Sequence, residues 1–88
     1  MNTTQISLDK LPIGKKANVS ALISDGAARR RMLDLGIIDG TEIKPLYKSP
    51  SGNPVAYLIR GAVIALRLDV SEKIMVSVTE EESSYGVN

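Results

Sequence analysis

The sequence predicts a mainly β domain: a small, partly closed barrel of about five strands, with one short inserted α-helix and a short helical turn before the last strand. Three observations predict it. Short stretches alternate between apolar and polar residues, the two-residue period of half-buried strands. A basic amphipathic stretch, Asp25 to Gly40 (DGAARRRMLDLGIIDG), interrupts them. And a chain of only 88 residues must bury one apolar face without leaving long strand edges, which closure of the sheet achieves.

A chain of this size forms one domain and buries roughly 60% of the surface that its unfolded form exposes. It has no Trp and no Phe, and its aromatic residues are Tyr47, Tyr57 and Tyr85, so the core is built from Leu, Ile, Val and Ala. Cysteine and histidine are both absent. Disulfides, thiolate chemistry, zinc-finger sites, Ser-His triads and imidazole acid/base catalysis are thereby excluded. The lack of cysteine suits a reducing compartment. The opening MNTTQISLDKL lacks the basic-then-apolar pattern of a secretory leader, and no apolar run is long enough to span a bilayer. A soluble cytoplasmic protein is expected.

The formal net charge of +1 hides an asymmetry. Glu80, Glu81 and Glu82 sit together near the C-terminus, so residues 1–79 carry eleven basic and seven acidic side chains, a net of +4. Arg29, Arg30 and Arg31 form a basic triplet in that part. Such a patch suits nucleic acid, an acidic partner or the cytoplasmic face of a membrane protein, or is a solvated helix face.

In chain order, Met1 to Gln5 is polar and reads as a frayed end. Ser7 to Leu11 offers one turn with Leu8 and Leu11 on the same side, stopped by Pro12 and Gly14, and so a lid on the core. Lys16 to Ile23 alternates, with Ala17, Val19, Ala21 and Ile23 on the inward face. Asp25 is a good N-cap for a helix of about nine residues over Ala27 to Leu35, with Ala28, Met32 and Leu35 as its buried stripe. Gly36 supplies a left-handed C-cap. Leu33 and Ile37 flank the stripe as a second, partly exposed apolar edge.

Thr41 to Lys48 is strand-like but contains Pro45, which belongs at an edge or a bulge because it has no N–H. Ser49 to Pro54 is a turn cluster long enough to be a presented loop. In the third strand Val55, Tyr57 and Ile59 alternate with Ala56, Leu58 and Arg60, and Gly61 makes a tight turn. Ala62, Ile64, Leu66 and Leu68 share one face of the fourth strand. Asp69 to Glu72 reads as a capping box opening a single helical turn. The last strand points Ile74, Val76 and Val78 inward and Met75 and Ser77 outward. Residues 1–79 then form the domain and 80–88 a flexible acidic tail. An SH3-like barrel with an inserted helix accommodates this order of elements.

Several motifs are specific when taken together and in order: Leu8-x-x-Leu11-x-x-Gly14, Arg29-x-Arg31-Met32-Leu33-x-Leu35-Gly36-Ile37 followed by Gly40, Gly52-Asn53-Pro54-Val55, and Ala65-Leu66-Arg67. Through them the chain resembles the FeoA family, small cytoplasmic components of the bacterial ferrous-iron transport system, from about Leu8 to Val78. The family loop commonly reads Gly-Asp-Pro, and Asn53 removes a negative charge there. The resemblance implies an SH3-like fold and a non-enzymatic accessory or regulatory role, exerted by binding the cytoplasmic part of FeoB, a membrane permease with a G-protein domain. Membrane association would then come only through the partner. The resemblance extends to the SH3-like domains of iron-dependent repressors.

The partner surface is expected on the helix and the turn cluster: Arg29, Arg31, Leu33, Ile37, Pro50, Gly52, Asn53 and Pro54. No catalytic, cofactor or metal residue is expected. The phosphate-loop pattern is absent, the carboxylates Asp25, Asp34, Asp39, Glu42, Asp69 and Glu72 are scattered, and a polyproline groove would need more aromatic residues. The alternative reading is a small nucleic-acid-binding or repressor-type barrel module. Scarce stacking aromatics and a modest charge excess weigh against it. Self-association is left open.

Overall fold

The computed structural model describes residues 2–80. Six antiparallel strands form one sheet: β1 (Asn2–Ser7), β2 (Ala17–Leu22), β3 (Glu42–Lys48), β4 (Val55–Ile59), β5 (Ala62–Leu66) and β6 (Ile74–Glu80). Their order is β1-β6-β2-β3-β4-β5, which leaves β1 and β5 as the two edges. A 3₁₀ turn (Leu8–Lys10) follows β1, helix α1 (Gly26–Asp34) joins β2 to β3, and the single-turn helix α2 (Leu68–Ser71) joins β5 to β6. One core cluster draws on all of these elements, through residues such as Leu8, Val19, Met32, Ile43, Leu66 and Val76. The mainly β class with one short helix and a helical turn before the last strand is the predicted one.

Leu8 and Leu11 close one end of the core as expected, and the inward face of β6 is Ile74, Val76 and Val78. Elsewhere the structure corrects the sequence reading. The polar N-terminus is not frayed: Asn2–Ser7 pairs with β6 along its whole length, from Asn2↔Glu80 to Ser7↔Met75. Its sequence hides this because an edge strand needs few apolar residues, and Ile6 alone packs against the core. Glu80 belongs to β6; the rest of the expected acidic tail lies outside the described residues.

In β2, Ala17 and Val19 are buried, but Ala21 is exposed and Ile23 is 63% exposed. The ladder with β6 runs Val19↔Val76 and then Ala21↔Met75, so Ser20 is an extra residue in a bulge. One inserted residue exchanges the two faces of everything after it. Leu22 therefore turns toward the core in place of its neighbours.

Pro45 sits at an irregularity between Pro45 and Tyr47 in the β3–β4 ladder, so the bulge is found, although β3 is an interior strand. The strand tolerates it because β2 pairs with β3 only at Ala17↔Ile43 and Asn18↔Glu42, leaving nothing opposite the missing N–H. The Pro45 carbonyl accepts a bond from Gly14 N at 2.7 Å. Leu68 does not continue the inward face of β5: it is 48% exposed, because the chain turns into α2 after Arg67. Asp69 is not the cap of that turn either. Arg67 occupies the cap position without a side-chain bond, and the orphan N–H of Leu68 is satisfied by Asn53 Oδ1 at 2.9 Å.

Candidate functional site

Helix α1 starts after Asp25, whose backbone is extended at the cap position, and ends in a turn where Gly36 has φ +86°. A left-handed residue with a side chain would cost about 1–2 kcal/mol, which is why glycine stands there. A Cβ on Gly36 would also stand 2.6 Å from Arg60 Cδ, so the absence of a side chain lets the Arg60 side chain lie against the turn that ends α1. The β4–β5 turn consists of Arg60 (φ 52°) and Gly61 (φ 83°), the pair of positive values that marks a type I′ hairpin turn. α1 and β5 line a common hollow.

Between them runs an apolar groove of about 310 Å³, floored by Met32, Leu35, Ile64 and Val70 and rimmed by Arg31 and Arg67. Arg29, Arg30, Arg31 and Arg67 are all exposed. Among the described residues the one salt bridge is Lys16 to Glu42, 3.4 Å across an exposed surface, and none of these four arginines pairs with a described carboxylate. Arg29 makes a long bond, Nη1 to Leu22 O at 3.4 Å, which orients it without masking its charge.

The expected partner residues divide into three groups. Arg29, Arg31 and Leu33 are exposed on α1, Leu33 at 41%. Ile37 is not an exposed apolar edge: it is fully buried, drawn into the core by the turn after α1, where its N–H bonds Met32 O at 3.0 Å. The loop residues Pro50 and Gly52 are exposed, while Asn53 and Pro54 are half-buried. The loop is tied internally by Ser51 Oγ donating to Asn53 O at 2.9 Å, and to α2 by Asn53 Oδ1. The expected loss of charge at Asn53 thus spares the acceptor: an amide oxygen does the capping a carboxylate would do. Ala28, expected in the buried stripe, is exposed on the groove wall.

Behind the loop lies a small hollow of about 180 Å³ lined by Asp9, Lys48, Asn53, Tyr57 and Ser71. Burial pushes the Tyr57 phenol above its ordinary range, the Ser71 hydroxyl offsets part of that rise, and Asp9 adds to it. Among the described residues Asp9 Oδ1 is buried without a hydrogen-bond partner. This polar pocket is roomy enough for an ordered water but carries a single carboxylate. Among the described residues no three carboxylates gather into a metal site. A wider hollow of about 580 Å³ lies across the sheet between Lys16, Lys44 and Arg60, open to solvent.

The partner surface expected from the sequence, α1 and the loop, does not include Arg67 or the β5 residues that line the groove with α1. The signal available was Ala65-Leu66-Arg67, whose arginine follows the strand, but nothing local places it opposite Arg31.

The model of the FeoA domain matches residues 6–78. The chain belongs to the FeoA family. No curated protein matches it in sequence. Among solved structures, the FeoA-like protein from Clostridium acetobutylicum is 34% identical with a TM-score of 0.81, over 93% of this chain and 94% of that one. The FeoA protein from Chlorobium tepidum is 30% identical, TM-score 0.79, over 92% and 79%. The zinc complex of Stenotrophomonas maltophilia FeoA is 27% identical, TM-score 0.72, over 81% and 88%. That FeoA is described as a prokaryotic SH3 domain protein and a candidate ferrous iron transport activating factor. The SH3-like fold expected of this FeoA domain is therefore the fold it has. A manganese-dependent transcriptional repressor shares it at 16% identity and TM-score 0.78, a likeness of fold alone.

Proposed function

We propose that this FeoA domain is a non-enzymatic accessory protein of bacterial ferrous-iron uptake that acts in the cytoplasm by binding the cytoplasmic part of the FeoB permease. The observation that carries this reading is the face of α1: three consecutive arginines, exposed and unmatched by carboxylates among the described residues, beside an apolar groove. Exposed charge of one sign steers an acidic partner, and adjacent apolar surface holds it once it has arrived. No helix among the described residues is long and apolar enough to cross a membrane, so membrane attachment would come through the partner. Ferrous iron is the cargo of such a system, and this chain offers it neither imidazole nor thiolate.

The test is retention of the chain by the co-produced permease from detergent extract, with and without guanine nucleotide. The double substitution Arg29→Gln, Arg31→Gln should leave the fold intact, changing stability by less than ~1 kcal/mol, because Gln keeps helix propensity and most of the apolar stem. It should weaken retention and flatten its salt dependence. Full retention and full ferrous-iron uptake by the folded double mutant would make the arginines a solvated face.

A further inference from the structure

Among the described residues β5 ends the sheet on the α1 side and has β4 as its sole strand neighbour. Because the Arg60–Gly61 turn is two residues long, the flanking pair Ile59↔Ala62 exchanges both backbone bonds. Bonded and non-bonded pairs alternate along an antiparallel ladder, so the N–H and C=O groups of Val63 and Ala65 point away from β4. Among the described residues they meet no other backbone group.

Edge strands of soluble proteins usually carry a charge, a proline or a bulge that prevents further pairing. The stretch Ala62-Val63-Ile64-Ala65-Leu66 carries none of these. Both faces beside the open edge are apolar. On the inner side Ile64 and Leu66 border the groove shared with Met32 and Leu35. On the outer side Val63 and Ala65 border a second hollow of about 230 Å³, with Tyr47 and Pro54. A strand laid along β5 would send alternate side chains into the two hollows.

The charges stand at the ends. Arg60 precedes the strand, Arg67 follows it, and Arg31 faces Arg67 across the groove, with Asp69 the one carboxylate on that rim. Antiparallel pairing of two copies through β5 would bring Arg67 of each to the Arg60 end of the other, which disfavours a second copy. A segment with acidic ends fits.

We infer that the free edge of β5 accepts an added strand from the permease: an extended segment, apolar toward both hollows and flanked by carboxylates that meet Arg31 and Arg67. This rests on the permease reading above and names the segment chemistry it requires.

The experiment measures retention of full-length variants on the detergent-solubilised permease, with backbone amide exchange of the wild type free and bound. Ala65→Pro removes one edge donor where its N–H faces outward, a position at which proline is tolerated. Val63→Lys places a charge on the open edge at a side chain 58% exposed, and carries the test if Ala65→Pro does not fold by circular dichroism. Each should weaken retention about tenfold or more, the loss of roughly one well-made bond. Thr4→Lys, on the opposite edge, should not. The Val63 and Ala65 amides should exchange at least about tenfold more slowly in the complex.

Wild-type retention matched by both β5 variants overturns the inference and leaves the permease reading standing. A wild-type chain that the permease does not retain overturns both. Protection of the Val63 and Ala65 amides in the isolated chain, or a dimer that Val63→Lys disperses, assigns the edge to the chain itself and overturns the inference.

Discussion

The two edges of the sheet are built from opposite materials. β1 is Asn2-Thr3-Thr4-Gln5-Ile6-Ser7, polar at every position but one, and ties itself to its own sheet through Gln5 Nε2 donating to Ser20 Oγ at 2.6 Å. β5 is wholly aliphatic, has a hollow on either side, and is bordered by arginines rather than interrupted by them. β1, like β5, carries no charge, proline or bulge, but it offers an added strand little apolar surface to bury. An apolar edge strand gains by being covered. The two edges therefore differ in the apolar surface beside them and not in the charges, prolines or bulges that block pairing.

The contrast breaks most directly at the residues that anchor each edge. Leu66 is the buried end of β5 and Ile6 is the half-buried apolar residue of β1. Leu66→Ala should cost roughly 2–5 kcal/mol, and Ile6→Ala clearly less, because its side chain gives up less buried surface and its site can relax toward solvent. Thermal melts should separate the two, at about 4–8 °C per kcal/mol for a domain of this size. Equal shifts would mean that β5 is no better anchored than β1.

The contact between the end of α1 and the β4–β5 turn, Gly36 with Arg60, is the next point of attack. Gly36→Ala combines a left-handed backbone with a clash against Arg60, and should destabilise by about 1–2 kcal/mol or more. Its distinguishing readout is faster amide exchange in β5 than in β1. Uniform exchange changes would show that the contact of Arg60 with Gly36 does not position the edge.

Smaller effects belong to the side-chain tethers near each edge. Asn53→Ala leaves the N–H of Leu68 without its cap and should cost about 1 kcal/mol, whereas Asn53→Asp keeps the acceptor and should cost little. Gln5→Ala removes an exposed bond and should stay within about 0.5 kcal/mol by chemical denaturation.

The smallest effect is confined to alkaline pH. Tyr57 pairs with Ile64 of β5, and burial raises its phenol, so the folded state holds its proton after the unfolded chain has released its own. The unfolded state then binds fewer protons, and stability is lost as pH rises above about 10. Tyr57→Phe should remove that part of the alkaline loss. A denaturation midpoint that falls equally in both proteins between neutral and alkaline pH would mean that Tyr57 makes no such contribution.

The sequence by itself determined every element except β1, the aliphatic part of a core that also takes in Tyr57 and Met32, and the excluded chemistries. Alternation named Ile74, Val76 and Val78 as inward, and the absence of Cys and His ruled out thiolate and imidazole sites whatever the fold. The motifs were enough to name the family, and they brought α1 and the loop forward as a surface. Local pattern failed wherever a face depended on pairing. One bulge at Ser20 exchanged the faces of Ala21 and Leu22, and nothing in their alternation could announce it. Ile37 reads as a flanking residue of a helix stripe, yet the chain bends after Gly36 and buries it. Polar Asn2–Ser7 becomes a strand because β6, more than sixty residues later in the chain, offers its edge. Asn53 becomes a cap because Leu68 arrives beside it. Only the tertiary structure brought Arg31 and Arg67 to one groove and left β5, among the described residues, paired with β4 alone. Edges and grooves are relations between segments far apart in sequence, and a period of two or of 3.6 residues reports only what one segment does with its own faces.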